Sequence, residues 1–162
     1  MPLRHLLHLL VTSVVITEAN GQILLQNGLE NWAFGLPDGL VGLHTTLAHD
    51  SIVEVSEPVH GGSKAMRLQL GSDGGALLTT GPLSVAANEL YEVRFWMRGR
   101  ARVGAGLYDG RPENGGFATA TPGVEANDST WRYVLHTVLA ANTTSAAEFV
   151  FVLEPAGDSS QV

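Results

Sequence analysis

The sequence predicts an all-β fold, an antiparallel β-sandwich, on three observations. Past Gln22 the apolar residues recur mostly at every second position, and Gly or Pro breaks the pattern about every ten residues. No stretch of about ten residues carries a helical apolar stripe. Candidate strands are 23–25, 51–56, 65–70, 76–78, 83–85, 90–98, 102–108, 131–139 and 147–153. Turn-rich pieces lie at 35–39, 60–63, 71–75, 109–116 and 122–129.

Two strands divide into faces. In 90–98, Tyr91, Val93, Phe95 and Met97 alternate with Glu92, Arg94, Trp96 and Arg98. Successive strand side chains point to opposite faces, so the apolar set is the expected core face and the charged set, with Trp96, points outward. In 102–108, Val103, Ala105 and Leu107 are the inward set, and Arg102, Gly104, Gly106 and Tyr108 the outward one. The two glycines leave room for a groove beside Tyr108. Trp131, in phase with Tyr133 and Leu135, is expected in the core.

Composition narrows the function. The 162 residues suit one domain. No cysteine means no disulfide scaffold, no cysteine–zinc site and no thiol nucleophile. Sixteen acidic against nine basic residues, a net charge of −7, oppose binding to a nucleic-acid backbone. The lone lysine, Lys64, excludes a polybasic membrane patch.

Residues 1–21 have the layout of a secretory signal peptide: Arg4 and His5, an apolar run over 6–16, then small residues Ala19 and Gly21 before Gln22. The run is too short for the ~20 residues of a membrane span. The expectation is an exported protein, secreted or at the cell surface, with a single domain over 22–162 and no membrane insertion.

The landmarks, taken in order, resemble the CenC-type carbohydrate-binding modules (families four, nine and twenty-two) among the galactose-binding-domain-like jelly rolls. Leu24 to Trp32, LLQNGLENW, resembles their first strand, with Leu29 where Phe is usual. GLPDGL (35–40) resembles the turn that follows, with Leu40 in place of a tryptophan. VHGGSKAMRLQL (59–70), ANELYEVRFWMRG (87–99) and the two segments of 129–153 resemble later strands. Such domains usually finish with a strand bearing an Asp-Asp pair. The chain stops at Val162 where that strand would begin, so the closing C-terminal strand is expected to lie beyond it, with further domains. The resemblance also implies a structural calcium, for which Glu30 and the backbone around Gly62 and Lys64 are the matching positions; the bland alternative is Glu30 accepting hydrogen bonds from loop amides.

For a glycan, Trp96 and Tyr108 are the stacking candidates, because flat rings suit the apolar faces of pyranoses. Arg94, Arg98, Glu92 and Arg67 are the polar partners, with Gln69 and His136 as lesser ones; arginine's fork also suits an acidic sugar. Trp32, Phe34 and Phe117 are candidates for the rim.

Catalysis is not expected. Gly157-Asp158-Ser159 echoes an esterase nucleophile block but lies at the wrong end of the chain. His44, His49 and Asp50 lack metalloprotease spacing, and Glu92 and Glu148 have no reason to face each other as glycosidase carboxylates must. Asn127-Asp128-Ser129 and Asn142-Thr143-Thr144 fit the glycosylation sequon. The expectation is a non-catalytic polysaccharide- or glycan-binding module, with an adhesive spacer, or the N-terminal part of a larger secreted glycoside hydrolase or protease, as rivals.

Overall fold

The computed structural model describes residues 7–18, 20–45, 51–70, 75–118 and 123–154. The strands are β1 (Leu7–Glu18), β2 (Ile23–Asn27), β3 (Trp32–Ala33), β4 (Leu36–Pro37), β5 (Leu40–Thr45), β6 (Ser51–Val55), β7 (Ala65–Leu70), β8 (Ala76–Thr80), β9 (Leu83–Val85), β10 (Leu90–Tyr108), β11 (Phe117–Ala118), β12 (Val124–Leu139) and β13 (Thr144–Glu154). The main sheet is antiparallel, in the order β5-β8-β13-β10-β1-β7-β6, with β2, β9, β11 and β12 attached beside this path. The all-β expectation holds.

Strand β10 organises the molecule. Its first half, up to Met97, pairs with β1 on one side and with 132–139 of β12 on the other. Its second half, from Arg102, pairs with β13, with the start of β12 and with β11. Between the halves, Gly99 takes φ 124°, a conformation that excludes L side chains, and the β12 register slips there. The sheet thereby curls into two lobes around one core. Val11, Met66 and Phe95 of the first lobe share a small apolar void with Leu78, Val103 and Phe151 of the second.

The alternation reading is confirmed. Tyr91, Val93, Phe95 and Met97 are at most 1% exposed, and so are Val103, Ala105 and Leu107. Burial supplies most of the stability, at roughly 25 cal/mol per Å² of apolar surface.

Several boundaries need correction. Strands 90–98 and 102–108 are one strand, because a single glycine at the bend lets the ladder continue. The turn-rich 122–129 includes the start of β12, and β13 begins at Thr144. The sheet also includes Leu7–Glu18, ahead of the expected domain start at Gln22. That apolar stretch lies between β10 and β7, with Leu9, Val11, Val14 and Ile16 no more than 4% exposed. An export leader and a buried strand both draw on an apolar run, so composition alone does not separate them. Residues 1–6, His49, Asp50, Gly157-Asp158-Ser159 and the segment after Glu154 lie outside the described residues.

Candidate functional site

The outward face of the first lobe is read off the register. Arg67 of β7, Leu10 of β1 and Arg98 of β10 stand in one row across the sheet. Thr12, Trp96 and Tyr133 form the next, and Val15, Arg94 and Leu135 another. Trp96 is half-buried and outward, as its position between buried Phe95 and Met97 requires.

Aromatic rings gather around it. The Trp96 and Tyr133 rings are tilted at 57° with centroids 5.2 Å apart. His60 stacks on the indole at 3.8 Å and 17°, and meets Trp131 edge-on at 5.7 Å. Tyr133 is 49% exposed, so its ring is open to a ligand. His60 and Tyr133 are site residues that the sequence does not single out, and Trp131, expected in the core, belongs to this cluster instead. On β12 the buried set is Val134, His136 and Val138, while Tyr133 and Leu135 point out. Both faces of that strand are apolar, so alternation gives no sign of which is inward, and the larger side chains misleadingly suggest the core.

Glu92 and Arg94 of this face form an ion pair. Arg67 is half-buried, and its Nε is sealed from water with no hydrogen-bond partner. Thr12, 2% exposed, also has an unpartnered hydroxyl.

The loop carrying His60 is tied down by Glu30. The Glu30 carboxylate accepts from the Ser63 amide at 2.7 Å, from the Ser63 hydroxyl and from the Lys64 amide at 3.3 Å. The Ser63 hydroxyl and amide, more than Lys64, hold its pKa below the usual carboxylate value. Gly62 has φ 74°, and any Cβ there would overlap Glu30 Oε1. Glu30, Gly62 and Lys64 are thus brought together, as the resemblance implied. They do not fit a calcium cage: one carboxylate faces N–H and O–H donors, whereas calcium takes 6–8 oxygens. Among the described residues no group of three or more His, Cys, Asp or Glu is placed to hold a metal.

Tyr108 is not part of the Trp96 face. It is 45% exposed at the far end of β10, opposite Phe117 and Glu148 in the second lobe. The groove expected beside it is filled. A Cβ at Gly106 would lie 2.9 Å from Phe117 Cε2, so the ring lies over the glycine, and Gly104 and Gly106 are both buried. Phe117 therefore roofs the second lobe and does not rim a site. Glu92, beside Thr17 and Thr137, is in the other lobe from Glu148.

Other candidates are structural. Trp32 is half-buried against the core, and its indole N–H donates to the Leu29 carbonyl at 2.7 Å. Phe34 is fully exposed at φ 53°. His136 is 3% exposed, with Nε2 3.1 Å from the Val103 carbonyl; burial depresses its pKa. Asp109, also 3% exposed, accepts from the Arg111 guanidinium at 2.9 Å and from the Ala141 and Asn142 amides at 2.7 and 3.3 Å. Burial pushes that carboxyl's pKa up, but the donors outweigh it and hold it low. Asn142 of the second sequon donates its side-chain amide to the Asp109 carbonyl at 3.3 Å.

No protein-family model, no curated protein and no solved structure matches the chain. The likeness to CenC-type modules therefore rests on sequence motifs alone.

Proposed function

We propose that the protein is a non-catalytic carbohydrate-binding domain, taking a polysaccharide or glycan on the outward face of the first lobe. The observation that carries this reading is the aromatic cluster of Trp96, Tyr133, Trp131 and His60 beside Arg94, Arg98 and Arg67. Stacked rings match the apolar faces of pyranoses, and guanidinium forks match the hydroxyls around their edges. The exposed Tyr133 offers the first stacking surface, with the Trp96–His60 stack as the wall beside it. Glu30 holds the loop that sets His60 against the indole. Binding of this kind keeps an attached protein near its substrate and raises effective concentration without new chemistry.

The His60 ring covers one face of Trp96, which is the observation favouring the rival reading of a spacer domain with no sugar site. Tryptophan fluorescence titrated against a panel of soluble glycans decides between them. Saturable quenching or a blue shift with Kd between about 1 μM and 1 mM is expected, equivalent to roughly −8 to −4 kcal/mol. Tyr133→Ala should lose that affinity while keeping its melting temperature. A folded protein that answers no glycan removes the proposal. Export through a leader cut before Gln22 and retention of β1 exclude one another in a single molecule, and the intact mass of the mature chain separates them.

A further inference from the structure

We infer that the glycan taken on this face is anionic, a chain of uronic-acid type whose carboxylate is held between Arg67 and Arg98; the inference rests on the proposed sugar site. The two arginines stand on the outward face on either side of Leu10. Neighbouring strands are ~4.8 Å apart, which puts the two Cα atoms about 10 Å from each other, a span two guanidinium side chains close around one carboxylate.

Other basic groups of the described residues are already engaged: Arg132 donates to the Glu125 carbonyl, and Arg100 has a partner. Lys64 is bridged to Glu54, Arg94 to Glu92, Arg102 to Glu125 and Glu154, and Arg111 to Asp109. Arg67 and Arg98 have no carboxylate among the described residues, in a chain with 16 acids against 9 bases. The buried Nε of Arg67 has no acceptor among the described residues. The guanidinium has further N–H donors beside this sealed one, and an ionised acceptor bound to them forms charge-assisted hydrogen bonds. Arg98 is two residues from Trp96 on the same face, so along the strand it lies about 6.7 Å away. A pyranose stacked at the aromatic cluster therefore places a ring carboxylate within reach of the fork.

The experiment compares an oligogalacturonate with the same oligosaccharide after reduction of its carboxyls, by calorimetric titration of the full chain with residues 1–21 retained. The uronate should bind at least tenfold more tightly, and its affinity should fall with added salt while that of the reduced sugar stays level. Arg67→Gln combined with Arg98→Gln should erase the tenfold preference, with a much smaller loss on the reduced sugar than on the uronate, and an unchanged melting temperature shows that the variant is folded. Arg98→Lys, which keeps the charge and loses the fork, should retain part of the preference. Equal binding of acid and reduced sugar overturns this inference and leaves the sugar site standing. Binding of neither overturns both. Polyglutamate binding as tightly as the uronate also overturns it, since the site would then read charge and not sugar.

Discussion

The two halves of β10 carry the same alternation and end in opposite states. In the first, the outward Glu92, Arg94, Trp96 and Arg98 stand on an accessible face joined by Tyr133. In the second, the outward Gly104 and Gly106 are buried, and Phe117 of β11 lies across Gly106. Parity along a strand decides which side faces the core. Whether the other side remains open depends on a segment elsewhere in the chain, and on whether the strand leaves it room. Glycine at 106 is what makes that room: the side chain missing from β10 is supplied by Phe117.

The largest expected effect tests what flanks the open half. Ile16 of β1 is fully buried opposite Val93. Ile16→Asp places an unpaired carboxylate in the core and should cost more than about 4 kcal/mol, enough to unfold a marginal domain. Urea denaturation of the full chain measures it, and a wild-type midpoint would remove β1 from the sheet. At the closed end, Asp109→Asn leaves the half-buried Arg111 without its counter-charge. A loss of about 3 kcal/mol is expected by the same measurement.

This contrast also shows what was legible in the sequence. The all-β class and the inward sets of β10 could be read because Tyr91, Val93, Phe95 and Met97 alternate with polar or charged neighbours at nearly every step. The outward position of Trp96 was readable for the same reason. On β12 the expected faces are inverted: Trp131, Tyr133 and Leu135 are as apolar as Val134, His136 and Val138, so periodicity had no sign to offer. The stacking of His60 on Trp96 was not readable at all. It depends on a loop held by Glu30 from 33 residues earlier in the chain, and long-range latches leave no local pattern. The same holds for Asp109, whose partners at 141 and 142 lie over 30 positions away.

A smaller effect sharpens the comparison at Gly106. Gly106→Ala should push against the Phe117 ring and lower stability by about 2 kcal/mol, as overpacking does. Phe117→Ala removes the roof, and the same glycine substitution made in that background should then cost less, since only the Ala118 carbonyl, 3.0 Å from the new Cβ, still crowds it. The pair would show a coupling of about 1–2 kcal/mol in a double-mutant cycle. Trp96→Ala on the open half should couple to neither. Full additivity at 106 and 117 would mean that the groove is not roofed by this ring.

The smallest effect comes from His136, which joins the two halves. Its backbone pairs with Val93 in the first, and its ring bonds the Val103 carbonyl in the second. Burial lowers its pKa beneath the ordinary 6.5, outweighing the carbonyl bond that favours the charged ring. The unfolded chain therefore takes up a proton just below 6.5 that the folded chain refuses. Stability from this group is complete above that pH and declines as pH falls towards the depressed folded value. For one group the slope cannot exceed about 1.4 kcal/mol per pH unit. Urea midpoints of wild type and His136→Gln, followed from about pH 7.5 to about pH 5, should diverge most at the neutral end and converge on acidification. Parallel curves would mean that the imidazole titrates equally in both states, and that the link between the halves of β10 holds without the neutral ring.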